Sequence, residues 1–445
     1  MNNIMRKLNE KLTPIASFCQ SETHLASMQK GFMAMIAFIM VGAVFVIIAN
    51  PPVTEDMINS GGFWSIFRGW YNFATANKTT ILIPYNMTMG MLSVIAAGSI
   101  AYYLAQSYNM SALTAALTSI IIFCLAAAPG TYYPTSDGSS YFLGMNMTYL
   151  GAQGLLTAIL ISIMTVEITR LCQEKGFAIK LAKEIPASIG NTFNSLIPLL
   201  INVLIVFGAN LLIGHFNSAL SIPSFIEMFL GKPLGGLVNS LPGVIVICLL
   251  TLVFWTVGVH GNMIMMPFTT PVTMIAFADN AARVAAGQAP VLEPILLMNA
   301  INLLGGTGNT LSFVILCLKA KSKQLKAFGD ACIVPAVFRI SEPVIFGAPI
   351  VYNPILFIPF ILSGMIPVFL YWLCCTLGWI TPMYLLISGT FPIFINSFIK
   401  CLDWRMIVFE AVMIPLLMVV WYPFFRIYDD SLLKQEAAAD AENAQ

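Results

Sequence analysis

"VFRISEPVIFGAPIVYNPILFIPF", residues 337–360, decides how this chain folds. It is apolar enough for a hydrocarbon layer, yet Pro343, Pro349, Pro354 and Pro359 punctuate it, with Pro335 and Pro367 on its flanks. Each proline removes an amide donor and clashes with the carbonyl one turn back, so no straight helix runs through such a stretch. At membrane depth, irregular backbone persists only where protein or a water-filled cavity satisfies its polar groups. A second apolar stretch, 254–275, is also broken by glycine and proline. Two interrupted segments of this kind point to a transporter's binding site.

Composition agrees. Of 445 residues 58% are hydrophobic and 9% charged, and the mean hydropathy is +0.84. A water-soluble domain carries roughly 25% charged residues, so this chain cannot cover a soluble surface of its size. The net charge of +1 carries no information, and no basic tract suggests nucleic acid. The nine cysteines show no C-x-x-C or zinc spacing. Cys124, Cys248, Cys317 and the Cys374–Cys375 pair fall in or beside apolar runs, as small hydrophobes do. No metal and no cofactor is expected.

Residues 4–18, "IMRKLNEKLTPIASF", alternate apolar and charged positions as an amphipathic helix on the membrane surface does. The apolar run after residue 30 is long enough to span and is expected to be a retained first helix rather than a signal peptide. Spans are expected near 31–50, 84–106, 110–128, 151–172, 195–214, 237–258, 354–378, 381–399 and 405–425. A polar loop would fill 51–80, a Gly- and Tyr-rich loop 129–150, a charged connector 173–186, and the polar tail would be disordered at its end. Arg6, Lys7, Lys11 and Lys30, then Arg170, Lys175, Lys180 and Lys183, then Lys319, Lys321, Lys323 and Lys326 form three basic clusters. Basic loops stay cytoplasmic, which puts the N-terminus, and by extension the C-terminus, inside. The expected layout is an N-terminal segment 1–30, a first membrane half 31–235, a transport half 236–428 and a tail 429–445.

An ionisable group inside a membrane costs at least ~2.5 kcal/mol, so each needs a reason. His24 reads as a surface residue and His215 as an interfacial one. His260, in "VFWTVGVHGNMIMMPF" at 253–268, is the only charged or titratable polar group between Lys232 and Asp279. It is either a neutral ring satisfied by local carbonyls or a polar contact in a substrate cavity, and the framing Gly258 and Gly261 favour the second. Glu342 precedes Pro343, which drives it toward an extended or turn geometry. There it can accept a hydrogen bond from a sugar hydroxyl, or pair with Arg339 as a structural ion pair. "LLGGTGNTLSF", 303–313, could expose backbone amides to an anion or pack helices. Asn86 could lock helices together or touch substrate.

These residues resemble the membrane IIC permease component of the phosphoenolpyruvate-dependent sugar phosphotransferase system, in its lactose/cellobiose/diacetylchitobiose family. "GVHG" at 258–261 is similar to that family's glycine-framed histidine. "SEPVIFGAPIVYNPILFIPF" at 341–360 resembles its Asn-Glu-Pro signature, the most specific of the matches. "IPASIGNTFNSLIP" at 185–198 and "LGGTGNTL" at 304–311 resemble two further blocks in the family's order. The similarity runs along essentially the whole length.

The resemblance implies an all-α polytopic membrane protein with about ten transmembrane helices and two re-entrant hairpins in the second half. It also implies a homodimer built on the first half, in the bacterial inner membrane. Its activity would be translocation of a sugar, expected to be a β-linked disaccharide such as cellobiose or chitobiose, by alternating access. The sugar would be phosphorylated on the cytoplasmic side from a phosphocysteine on a separate IIB protein, itself charged by IIA. By match of position, Glu342 takes the role of base and His260 orients the accepting hydroxyl. Asn86, Gly261, Asn262, Asn299 and Gly306 complete the expected substrate-binding set. Departures stand at Asn191, where the family often has Arg, at Asn299, where Asp is common, and at 385–394, which lacks the family's tryptophan. The competing classes are an ion-coupled secondary sugar transporter, with His260 and Glu342 as a proton relay, and a passive channel or sensor.

Overall fold

A computed structural model describes residues 14, 18, 21–51, 53, 55–59, 62–135, 137–177, 195–217, 220–347, 350–387 and 391–443. Residues 4–13, the connector from 178 to 186, and Asn191 therefore lie outside the described residues. The chain divides into two compact units, Ser21–Gly236 and a second that contains Leu237–Gln445.

The first unit is built on helices α1 (Thr23–Ala49), α2 (Arg68–Ile81), α3 (Leu92–Ser107), α4 (Ala112–Ala127), α5 (Leu155–Glu174) and α6 (Leu196–Phe216). The Glu22 carboxylate caps α1 by accepting from the Leu25 amide at 2.7 Å. Helix α3 is central, packing on α1, α4 and α5. Small Ala96, Ala97, Gly98, Ala101 and Ala105 stand among its buried residues, beside Leu92, Ile100 and Leu104, and small side chains let backbones come close. On α1, a Cβ at Gly31 would stand 2.6 Å from the Ile100 side chain, so the glycine is needed for that approach. His24 is half-buried rather than free on the surface: its Nδ1 lies 2.7 Å from Glu22 and its Nε2 3.1 Å from Glu167.

Two segments of this unit are more ordered than their polarity suggests. Residues 68–81 form α2 instead of a loop, with the Trp70 indole donating to the Ile48 carbonyl at 2.8 Å. The 129–150 loop contains an antiparallel hairpin, β1 (Thr131–Pro134) with β2 (Tyr141–Gly144), so the fold is mostly but not purely helical. At its turn, hydrogen bonds from the Ser139 and Thr135 hydroxyls hold the Asp137 carboxyl down at about 2.

The second unit comprises α7 (Leu241–Thr256), α8 (Gly261–Ala285), a 3₁₀ helix (Pro294–Asn302), α9 (Leu311–Cys317), α10 (Lys323–Val337) and α11 (Glu342–Gly347). The long helices α12 (Pro354–Thr376) and α14 (Arg405–Asn443) flank short α13 (Ile395–Cys401). Trp255, Phe277, Phe313, Phe360, Tyr371 and Trp421 anchor one continuous core. The break expected across 254–275 is confined to 257–260, because α8 accommodates Pro267 and Pro271 inside a continuous helix. The expected span at 381–399 is not a helix. Residues 381–387 and 391–394 are irregular, consistent with Pro382 and Pro392, and only Ile395–Cys401 is helical.

Six helices among the described residues are long and apolar enough to cross a membrane, and three shorter apolar ones accompany them. The protein is therefore a helical, multi-pass membrane protein. The polar tail is helical through Asn443, not disordered, and it is tied down. Asp429 accepts from the Lys321 and Ser322 amides at 3.0 and 2.9 Å, and Glu436 accepts from the Gln324 amide at 2.9 Å. These carboxylates satisfy amides at the start of α10 that have no partner within the helix. Removing the buried acceptor by Asp429→Ala is expected to lower stability by ~1–3 kcal/mol, read as earlier thermal unfolding of the purified protein.

Candidate functional site

Helix α7 ends in a tight turn. Gly258 takes φ +81, a left-handed conformation that glycine adopts without strain, and its amide bonds back to the Trp255 carbonyl at 3.1 Å. Two residues later His260 becomes the N-cap of α8, its Nδ1 accepting from the Met263 amide at 3.3 Å. A nitrogen that accepts carries no proton, so the neutral ring holds its proton on Nε2. The ring lies over Trp255, centroids 4.2 Å apart, and Trp255 itself is completely buried. At Gly261 a Cβ would collide with the Thr251 carbonyl oxygen, so α8 starts in direct backbone contact with α7.

Glu342 arrives from the second break. The chain turns at Arg339, φ +62, three residues earlier than Pro343 alone would place the irregularity. Glu342 then opens α11, where a proline in the first turn is tolerated because its missing amide would have had no helical partner. Farther on, the Tyr352 amide donates to the Thr256 carbonyl at 2.9 Å, stitching the second break onto the first. The result brings His260 Nε2 to 3.5 Å from Glu342 Oε1, with side chains 30% and 48% exposed. Arg339 directs Nε to the Phe391 carbonyl and Nη1 to the Asn302 carbonyl.

The glycine-rich turn is the mount for both groups. Gly305, Gly306 and Gly308 all have positive φ, and the whole of 303–310 is buried. It is a packed structural turn and presents no open anion cradle. Asn309 is the pin: its Oδ1 accepts from Leu303 and Leu304 amides, and its Nδ2 donates to the Ala300 and Ser363 carbonyls. Asn262 donates to the Thr307 hydroxyl at 2.8 Å, which ties the start of α8 to the turn. A Cβ on Gly306 would stand 2.7 Å from Ser341 Cβ and 2.8 Å from the Arg339 carbonyl, so this glycine seats the segment that leads into Glu342.

Asn299 is engaged by Lys400, accepting from its Nζ at 2.8 Å. Asn86 belongs to the other unit, exposed on the short helix Ile83–Thr88. The structure thus gathers His260, Gly261, Asn262, Asn299, Gly306 and Glu342 in one unit. It also adds residues that pattern reading passes over. Trp255 and Asn309 carry no signal beyond their type. Lys400 and Glu410 did carry one, being ionisable groups in apolar runs.

Comparison with known proteins matches residues 29–364 to the family model "Phosphotransferase system, EIIC". The chain is 30% identical to "Putative permease IIC component YwbA" of Bacillus subtilis (strain 168), covering 99% of each. It is 30% identical to "PTS system lactose-specific EIICB component" of Lacticaseibacillus casei, covering 98% of this chain and 73% of that one. Among solved structures it is similar to the transporter ChbC, the IIC component from the N,N'-diacetylchitobiose-specific phosphotransferase system. That match has a TM-score of 0.84 at 28% identity and covers 97% of this chain and 99% of that chain.

Proposed function

This chain belongs to the phosphotransferase system EIIC family, and from that premise we propose that it carries a β-linked disaccharide inward and presents it for phosphorylation. Two relatives are named for lactose and for diacetylchitobiose, both β-linked disaccharides, which supports that substrate class. The observation that carries the reading is the His260–Glu342 pair at 3.5 Å, partly open to solvent and mounted on a rigid turn.

A sugar hydroxyl fits between these groups by accepting from His260 Nε2–H and donating to the Glu342 carboxylate. As the oxygen attacks phosphorus, its proton passes to Glu342 and the donor's sulfur leaves with the bonding pair. The donor is a phosphocysteine of a IIB protein. In this proposal the unit from 237 onward moves the sugar between the two faces, within a homodimer of ten-span subunits with two re-entrant hairpins and cytoplasmic termini.

Uptake into membrane vesicles tests it. With phosphoenolpyruvate, IIA and IIB supplied, the disaccharide should accumulate as its phosphate. Accumulation of unmodified sugar on a proton or sodium gradient would contradict the reading. His260→Ala should weaken disaccharide binding by about three- to tenfold, the worth of one hydrogen bond, in a titration of the purified protein. Unchanged affinity would leave His260 a purely structural cap.

A further inference from the structure

Helix α11 and the residue before it have two unlike sides. Ser341, Val344 and Ile345 are buried, whereas Glu342, Pro343, Phe346 and Gly347 are exposed. The exposed four stand at i, i+1, i+4 and i+5, so they form one stripe along the helix. Its two functional side chains are opposite in character: the Glu342 carboxylate, 48% exposed, and the phenyl ring of Phe346, 53% exposed.

What the stripe faces follows from Glu342. A carboxylate is costly against hydrocarbon, and this one has His260 Nε2 at 3.5 Å. The stripe therefore borders the polar space into which the pair opens, and Phe346 presents its ring to that same space. One helical turn, about 5.4 Å along the axis, separates the ring from the carboxylate. The ring is also backed. It leans on Trp255, centroids 6.1 Å apart at 57°, and Trp255 is the indole over which His260 lies at 4.2 Å. Trp255 is completely buried, so it supports both neighbours without reaching the space itself. Behind Phe346, Val344 and Ile345 are both 0% exposed and root α11 in the core. The arrangement is a firmly held aromatic face, open beside the two polar groups, as small-molecule sites combine them.

We propose that Phe346 is the platform on which one pyranose ring of the sugar lies while a hydroxyl of that ring is held by His260 and Glu342. A pyranose is amphipathic: its hydroxyls project from the rim, and its axial C–H bonds leave an apolar face. That face packs against the aromatic ring, whose negative π-surface suits the polarised C–H hydrogens. Phe346 thus selects a sugar whose stacking face carries no axial hydroxyl, and Glu342 selects which rim hydroxyl reacts. The residue acts in recognition and takes no proton. The inference rests on the sugar reading above and names the ring face that is recognised.

The test is titration of the purified full chain with cellobiose. Phe346→Ala should weaken binding roughly tenfold, the worth of ~55 Å² of apolar contact. Phe346→Tyr and Phe346→Trp should stay within about threefold of wild type, because each keeps a flat ring. Phe346→Leu separates a platform from a packing residue: leucine keeps apolar bulk against Trp255 but offers no π-face, and should still lose about fivefold. Tyr and Leu both retain bulk, so their comparison decides the matter even if alanine destabilises the fold. In transfer from phosphorylated IIB, Phe346→Ala should raise KM while kcat stays within a few-fold of wild type, the mark of lost uniform binding. Wild-type affinity in Phe346→Leu would overturn the platform and leave the His260–Glu342 pair standing. A wild type that binds neither cellobiose nor lactose nor diacetylchitobiose would remove the sugar reading, and this inference with it.

Discussion

Glu342→Gln is expected to slow sugar phosphorylation by ~10²–10⁴-fold while disaccharide affinity stays within a few-fold of wild type. Glutamine keeps the length and one acceptor oxygen, so it can still accept a hydrogen bond from His260 Nε2–H, whose nitrogen lies 3.5 Å from the Glu342 carboxylate in the wild type. What it cannot do is take a proton. A hydroxyl that attacks phosphorus without a base must carry its proton into the transition state, and the loss then appears in the rate and not in binding. Phosphoryl transfer from phosphorylated IIB, followed in a single turnover with saturating sugar, separates the two. Phosphorylation at the wild-type rate would remove Glu342 as the base, whatever its part in binding.

The second large effect is expected from a single methyl group. Gly261→Ala would drive a Cβ into the Thr251 carbonyl oxygen. That atom is backbone within α7, so it cannot swing aside, and α8 must back away instead. The shift would carry His260, which caps α8, and would pull Asn262 from Thr307. Displacements of about 1 Å in a positioned group can cost ~10²-fold in rate, so both sugar binding and phosphorylation should collapse. Gly208→Ala is the control. Nothing lies within 4 Å of a Cβ there, and alanine is the better helix former. Wild-type activity in Gly261→Ala would mean that the contact between α7 and α8 does not position the site.

The membrane class was legible because the hydrophobic requirement of a bilayer is written into composition. The two breaks were legible because glycine and proline act locally, and the structure brings His260 and Glu342 within reach of each other. Other features depend on tertiary contacts. The 381–399 stretch has the hydropathy of a span, yet Pro382 and Pro392 divide it, and its backbone is held by Glu410, Lys400 and Val337 from elsewhere. Hydropathy counts apolar residues and does not register what pairs with them. The hairpin at 131–144 had its cue in Asp137-Gly138 between aromatic pairs, a turn signature that loop composition masked. The tail looked disordered because its residues are polar, whereas Asp429 and Glu436 reach more than a hundred residues back to fix it.

Gly306 shows how a motif can be found before its role is understood. Its pattern left open amides offered to an anion or glycines that pack, and its positive φ and its closeness to Ser341 make it a seat for the Glu342 segment. Asn299 is tied in a similar way to Lys400, a partner that sequence spacing gives no means to find.

The central claim is that the phosphate-accepting hydroxyl lies between His260 and Glu342. An experimentally determined structure of the chain with a bound disaccharide tests it most directly. One hydroxyl oxygen should stand at roughly 2.6–3.2 Å from a Glu342 carboxylate oxygen and within hydrogen-bond reach of His260 Nε2. A disaccharide bound with both side chains still facing each other, and every sugar hydroxyl directed elsewhere, would contradict the account.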